Sequence, residues 1–505
     1  MKKHRPILFS ILLPLSYHAL SQEKYHYVAI HENSTQKEII SKAANVVPTE
    51  KQLRWQQLEL TAFFHFGINT FTGREWGNGT EDPSLFNPEK LDAEQWVTTV
   101  KEAGFKQVIV TAKHHDGFCL WPTKTTQHSV ESSHWKAGKG DLVKEVAAAC
   151  KKHQVGFGLY LSPWDRNASC YGTAAYNDFF VEQLTELLTQ YGQVDEVWFD
   201  GACGEGPNGK KQVYDFMRWY ALIRKLQPQA VIAIMGPDVR WVGTESGKGR
   251  VTEWSVLPAN NMDPSMIAKN SQQDLIYQPM GNMTGEDLGG RNSLSTAHGL
   301  IWYPAETDVS IRPGWFYHSA EDAKVKTAQQ LMDIYFTSVG MNSVLLLNIP
   351  PNTSGLISDT DVRHLQAFKQ LMEQTFANNL AKGARAQSSN GKNEMALLDN
   401  DNQTYFTTKG TDTSTTIHIS LPAPTTFNVL SLQENIRIGQ RVEHFALEYL
   451  DQQGAWVQIA AGTTIGYKRL LQLGTVTAKE LRLRILGSRL NPTISSFGIY
   501  HYTTP

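Results

Sequence analysis

Several histidines, carboxylates and tryptophans of this 505-residue chain stand directly behind short β-forming runs. His65 and Asn69 follow Ala62-Phe63-Phe64. Lys113-His114-His115-Asp116-Gly117-Phe118 follows the run from Gln107 to Thr111, Ser162-Pro163-Trp164-Asp165-Arg166 follows Val155 to Leu161, and Asp200-Gly201-Ala202 follows Val194 to Phe199. Carboxylates in such places supply nucleophiles or acid–base groups, and imidazoles beside them hydrogen-bond a polar substrate. Asp195 and Glu196 begin their strand and are expected at the solvated bottom of the sheet or in salt bridges. His65, His114 and Asp200 are also a candidate zinc set, but no His-x-His or His-Glu-x-x-His spacing accompanies them. Trp76, Trp121, Trp164, Trp302 and Trp315 fall in loops or at strand ends. Aromatic faces there stack on the C–H faces of a sugar while His, Asn and Asp bond its hydroxyls. One or two of these tryptophans are expected only to pack in the core.

Such groups need a scaffold that brings strand ends together. From Ala62 to about Leu347, β-type runs alternate with amphipathic helical stretches, the pattern of βα units around a parallel sheet. Strands are expected at 62–67, 107–111, 155–161, 194–199, 230–235 and 344–347, with two more between Val251 and Ile311. Asp92 is placed to cap a helix that Gly104 ends. Further helices are expected over 141–153, along the stripe Phe179, Phe180, Leu184, Leu187 and Leu188, and over 213–226, 320–339 and 359–376. Eight βα units in a span of roughly 250 residues or more make a (β/α)₈ barrel, whose functional groups gather at the carboxyl ends of the strands. No Gly-x-Gly-x-x-Gly follows the first strand and no Walker loop occurs, which argues against a doubly wound sheet. Beyond about residue 380 short alternating segments rich in Thr, Ser, Gln and Asn take over, as in an all-β sandwich.

Composition excludes other classes. With 41% hydrophobic residues and a net charge of −2, the chain can bury a core and offers no electrostatic footprint for nucleic acid or an anionic membrane. Lys2, Lys3 and Arg5 before the apolar run Ile7 to Leu15, with Ala19-Leu20-Ser21 behind it, read as a cleaved secretory leader over residues 1–21, too short to span a membrane. The resulting organisation is a leader at 1–21, a barrel at 22–379 and a β-sandwich at 380–505. An exported protein is expected, periplasmic, at the cell surface or secreted, with no membrane span after cleavage. The four cysteines, Cys119, Cys150, Cys170 and Cys203, have no zinc-type spacing.

Four segments in order between about Trp55 and Pro350 carry a family likeness: His65-Phe66-Gly67, His114-His115-Asp116-Gly117-Phe118, Trp198-Phe199-Asp200-Gly201 and Ser310-Ile311-Arg312-Pro313-Gly314-Trp315. They resemble the α-L-fucosidases of glycoside hydrolase family 29. The resemblance implies a retaining exo-glycosidase on a (β/α)₈-type barrel, acting on fucosylated glycans and requiring no metal or organic cofactor. It maps the nucleophile onto Asp200. Arg240-Trp241-Val242-Gly243-Thr244-Glu245-Ser246-Gly247 resembles the loop of the subfamily that removes α-1,3- and α-1,4-linked fucose, which puts the acid/base at Glu245, with Glu253, Glu75 and Glu306 as alternatives. His65, Glu75, Trp76, His114, His115, Trp164 and Trp315 are the fucose contacts it implies. From about Leu380 the chain resembles a discoidin, or coagulation factor 5/8 type C, module, in which Asp399 and Asp401 would help to hold a structural Ca²⁺; the alternative is a sandwich that only buttresses the barrel. The rival functions are a secreted glycan-binding protein with a decayed barrel and a retaining hydrolase of another deoxy- or galacto-configured sugar.

Overall fold

A computed structural model describes residues 24, 26–259, 285–399 and 401–503. The leader expected at 1–21 lies outside them. Eight parallel strands, numbered here as barrel strands, follow one another around a ring: β1 (Leu60–Phe64), β2 (Gln107–Lys113), β3 (Gly156–Leu161), β4 (Glu196–Phe199), β5 (Val231–Ile234), β6 (Arg240–Trp241), β7 (Ala305–Ser310) and β8 (Ser343–Asn348). β8 pairs back onto β1, and a single bridge between Ala233 and Val239 joins the β5 and β6 sides, so the barrel is nearly closed.

Strand alternation sorts the side chains into two cores. Ala62, Phe64, Val108, Val110, Val197 and Phe199 point outward, into the layer shared with the helices. Phe63, Ile109, Tyr160, Trp198, Val344 and Leu346 point inward and fill the barrel, with Trp55 beneath them. The expected helices cover the outside. Asp92 caps Ala93–Glu102 by accepting from the amides of Glu94 and Gln95, and Asp141 caps Leu142–His153. Ala175–Gln190, Phe216–Leu226 and Asp359–Phe376 complete the outer wall. Only Ala328–Thr337 of the helix expected at 320–339 is α-helical, a 3₁₀ turn at Ser319–Lys324 preceding it.

Two expectations are corrected. The two missing barrel strands do not both lie between Val251 and Ile311. One is the two-residue β6, too short and polar to stand out by pattern, and the other is β7. The β-forming runs Val256–Ala259 and Gly299–Trp302 instead make a separate antiparallel sheet with Tyr27–Ala29. Glu196 is not at the solvated bottom either. It shares the inward row of β4 with Trp198, because residues two apart face the same side, and it is fully buried. Trp55 Nε1 and Gln107 Nε2 donate to its Oε2 at 3.0 and 2.6 Å. Across the barrel Glu306 accepts from Trp198 Nε1 at 2.7 Å, and the charges of the two buried carboxyls act on each other. Burial pushes both up, so the pair keeps a proton that free carboxylates lose. Asp195, by contrast, stays at the rim and accepts from the Phe157 amide.

The C-terminal unit is a six-stranded antiparallel sheet with its own apolar core, built on two long strands, Thr415–Glu434 and Arg469–Ser488. The segments 415–421 and 429–432, expected as separate strands, belong to the first of these; register shifts between them mark where Pro422 and Pro424 interrupt the ladder. All four cysteines are unpaired. Among the described residues no helix is long and apolar enough to cross a membrane.

The Glu196–Glu306 pair makes a pH-dependent contribution to stability. Its folded proton affinity exceeds that of free carboxylates, so its contribution is complete below the unfolded value, near 4.5, and is lost as pH rises through the raised folded values. Urea unfolding of wild type and Glu306→Gln should therefore give a wild-type stability that falls relative to the variant from pH 5 to pH 8; parallel curves would contradict a shared proton.

Candidate active site

The inward rows of the barrel continue past the strand ends, and there they turn polar. Phe63 is followed two residues on by His65, Trp198 by Asp200, and Leu346 by Asn348, while Tyr160 is the last inward residue of β3. The Asp200 carboxylate is the centre of this rim. Its Oδ2 accepts from Tyr160 Oη at 2.9 Å and lies 3.8 Å from His115 Nε2, and its Oδ1 accepts from the Ala202 amide at 2.7 Å. The Tyr160 ring is held between Trp198 (centroids 5.3 Å, 22°) and His114 (5.7 Å, 13°). Burial raises the Tyr160 phenol well above its ordinary value, so it stays a donor to Asp200.

Hydrogen bonding decides which nitrogens the histidines present. Asn348 Nδ2 donates to the Trp315 carbonyl at 2.8 Å and to Ser310 Oγ at 2.9 Å. Its Oδ1 therefore faces His65 and accepts from Nδ1 at 2.9 Å, leaving Nε2 of His65 as the acceptor. Ser162 Oγ donates to the Trp164 carbonyl, so it accepts from His115 Nδ1 at 2.7 Å, and Nε2 of His115 carries the lone pair. Burial lowers the proton affinity of all three imidazoles: His65 falls to about 4, His114 well below its ordinary value, and His115 is lowered despite the Asp200 charge. The His114-His115-Asp116 segment is carried by a tight turn in which the Gly117 amide donates to the His114 carbonyl. Gly117 takes φ 80°, which favours glycine. Asp116, buried beneath this turn, is pushed up to about 7 by desolvation.

The aromatic wall has two parts. Trp76, 55% exposed, meets His115 and Trp164 edge-on, at centroid distances of 5.4 and 5.5 Å. Opposite them Trp315 packs on His65 at 5.0 Å, and Phe316 packs edge-on against both His65 and His114. Glu75 accepts from the Trp315 amide at 2.7 Å with one oxygen and meets His318 Nε2 at 2.6 Å with the other. Trp315 Nε1 in turn donates to Glu245 Oε2 at 3.2 Å. Partial burial, with a smaller contribution from the Asp200 charge, raises Glu245 above the ordinary carboxylate value.

Asp200, Glu245, His65, Glu75, Trp76, His114, His115, Trp164 and Trp315 thus belong to one constellation, whereas two of the five tryptophans expected in loops or at strand ends do not. Trp121 is fully buried and donates to Glu186, and Trp302 is buried and donates to Gln56, so both are core residues. Two rival acids are also occupied elsewhere. Glu306 is sealed in the barrel with Glu196, and Glu253 is buried in ion pairs with Arg240 and Arg250. Among the described residues no group of three or more His, Cys, Asp or Glu is placed to hold a metal ion, so His65, His114 and Asp200 are not a zinc set. In the C-terminal unit, Asp399 and Asp401 each accept from a backbone amide two residues on. Tyr160 and Asn348 were not singled out by sequence. The available signal was the inward parity that Tyr160 shares with Trp198 across β3 and β4, and that Asn348 shares with Leu346.

A family model for α-L-fucosidase matches residues 50–375. The chain belongs to the α-L-fucosidase family. This fucosidase is 44% identical to α-L-fucosidase 1 of Arabidopsis thaliana over 90% of its own length and 87% of the plant protein. Among solved structures, a glycoside hydrolase 29 family member from an unknown rumen bacterium is 40% identical, with a TM-score of 0.76 over 91% of this chain and 78% of that one. A Ruminococcus gnavus fucosidase of family 29, solved in complex with fucose, is 34% identical, with a TM-score of 0.80 over 90% of this chain and 95% of that one. The fucosidase described here is thus a cofactor-independent glycoside hydrolase of family 29, with fucosylated glycans as its substrate class.

Neutral imidazoles make the site sensitive to acid. His65 has a folded proton affinity below its unfolded one, so its stability contribution is present above about pH 6.5 and is lost as pH falls toward 4. The full shift corresponds to about 3 kcal/mol. His65→Gln should flatten the decline in urea midpoint between pH 6.5 and 4; an unchanged slope would mean that His65 is already protonated in the fold.

Proposed function

We propose that this protein is an exported, retaining exo-α-L-fucosidase that removes α-1,3- and α-1,4-linked fucose, with Asp200 as nucleophile and Glu245 as acid/base. The observation that carries the assignment is the division of labour between the two carboxyls at the mouth. Asp200 ends a barrel strand and is oriented by two donors, Tyr160 Oη and the Ala202 amide. Glu245 stands exposed on a glycine-bordered loop, its carboxylate accepting from Trp315 Nε1, with a raised proton affinity. A nucleophile needs a fixed direction, and a general acid must hold its proton near neutral pH.

In this reading the Asp200 carboxylate attacks the anomeric carbon as the Glu245 carboxyl proton passes to the departing glycosidic oxygen. A covalent fucosyl ester results. Glu245, now a carboxylate, takes a proton from water, whose oxygen attacks the same carbon. Fucose leaves with retained configuration and Asp200 is regenerated. The Nε2 lone pairs of His65 and His115 accept from sugar hydroxyls, while Trp315 and Phe316 form an apolar wall that suits the methyl group of fucose. The subfamily assignment rests on the likeness of the 240–247 loop, export on the basic and apolar N-terminal residues, and a discoidin-like role for the C-terminal unit on its sequence resemblance. A binding protein with a decayed barrel is disfavoured by the presence of both carboxyls.

Free L-fucose released from a Lewis-type trisaccharide and from an α-1,2-fucosylated oligosaccharide tests the proposal, with Asp200→Ala as the blank. Release from the first alone is expected; release from both would discard the linkage preference, and release from neither would discard the function. The pH profile tests the acid. The Trp315 N–H favours the ionised form of Glu245, so Trp315→Phe should move the alkaline limb of kcat/KM on a natural glycan to higher pH; a limb that stays or moves down would point to another acid.

A further inference from the structure

The segment that carries Glu245 leaves the barrel at β6 and runs on to Val256–Ala259 in the separate antiparallel sheet, and the C-terminal unit touches it only after Glu245. The residues on both sides of Glu245 are tied to the barrel. The Val242 amide donates to the Glu306 carbonyl at 2.8 Å, Trp241 Nε1 to Asp308 at 2.8 Å and the Gly247 amide to the Asp308 carbonyl at 3.2 Å. An ion pair between Arg240 and Glu253, both buried, closes the stem.

Beyond Gly249, whose amide donates to the Thr337 carbonyl at 2.6 Å, the returning limb is held jointly by Asn342, whose Nδ2 donates to the Glu253 carbonyl at 3.1 Å, and by the C-terminal unit. Arg469 Nη1 and Thr463 Oγ1 donate to the Val251 carbonyl at 2.7 and 3.0 Å, and Thr463 Oγ1 also bonds Thr252 Oγ1 at 2.9 Å. The Glu253 amide donates to Thr464 Oγ1 at 3.0 Å. Gln440 reaches in from the same unit, donating to the Glu253 carbonyl at 2.9 Å and accepting from the Ser255 amide at 2.7 Å. Gln440, Thr464 and Arg469 are all buried, so these bonds are shielded from water. The loop carries Gly243, Gly247 and Gly249, the first two at positive φ; the last two are tied to the barrel through Asp308 and Thr337.

We infer that the C-terminal β unit is a positioning element for the acid/base loop: Gln440, Thr463, Thr464 and Arg469 secure the limb that returns from Glu245 behind its barrel contacts at Gly247 and Gly249, and so help to set where its carboxyl stands over the glycosidic oxygen. This rests on the assignment of Glu245 as acid/base. It gives the C-terminal unit a role in proton delivery that is separate from any binding of glycan.

Loosening the returning limb should harm the step that needs the acid and spare the step that does not. Thr464→Val and Thr463→Val in the full chain are expected to lower kcat/KM on a Lewis-type trisaccharide about tenfold. On a 2,4-dinitrophenyl fucoside, whose leaving group needs no proton, the loss should stay below about twofold. Thr464→Ser keeps the hydroxyl and should restore the wild-type ratio. Ile419→Val, in the C-terminal core away from this seam, should lower the thermal midpoint without moving the ratio. Equal losses on both substrates, or a ratio that follows the thermal midpoint, would overturn the inference. Glu245→Ala, measured in parallel, separates the two claims. If it shows the leaving-group dependence and the threonine variants do not, only the positioning role fails; if it does not, the acid assignment fails and the inference with it.

Discussion

The site depends on one geometric constraint, the two-residue period of a strand inside a nearly closed barrel. On β4 this period turns Glu196, Trp198 and Asp200 to the same side, so one short strand supplies a buried acid at the floor, an aromatic in the middle and a carboxylate at the mouth. Each is held by a neighbour from another strand: Glu306 across the floor, Tyr160 against the indole, and the Tyr160 hydroxyl on Asp200. The orientation of the reactive group is thus transmitted from packing in the barrel interior, where rings of fixed shape leave few alternative arrangements.

Burial sets the chemistry of the groups around that carboxylate. The three histidines lose proton affinity because desolvation outweighs the attraction of Asp200, and they face the mouth as neutral hydrogen-bonding groups rather than cations. The same desolvation works in the opposite direction on carboxyls, raising Glu196, Glu306 and Asp116, none of which is exposed to a sugar at the mouth. Glu245, exposed on its loop, experiences a milder version of the effect.

The two carboxyls at the mouth are supported in unlike ways. Asp200 is fixed by covalent continuity with a strand, whereas Glu245 sits on a glycine-containing excursion tied to the barrel at Val242 and Gly247 and, farther on, to the C-terminal unit at Glu253. The C-terminal sheet, with its own apolar core, provides a rigid surface for the later contacts. A loop that approaches substrate is not buried in the barrel, so its rigidity comes from the hydrogen bonds along its stem.

Sequence alone determined the parts of this protein that are local. Apolar runs with polar ends marked six of the barrel strands and the rim residues His65, His114, His115 and Asp200, because strand propensity and the residue after a strand are both written within a few positions. Family motifs added Glu245, Glu75 and Trp315. What depends on closure was not legible. Strand β6 is two residues long and has no pattern of its own. Glu196 looked like a rim residue until the ring of strands put its face inside, and Trp121 and Trp302 looked like rim aromatics until neighbouring elements covered them. Tyr160 became a partner of Asp200, and Thr464 of Glu253, only when residues 40 and 211 positions apart were brought into hydrogen-bond range. A sequence carries the period of a strand, but the face that is desolvated, and the partners found there, exist only once the tertiary structure has enclosed it.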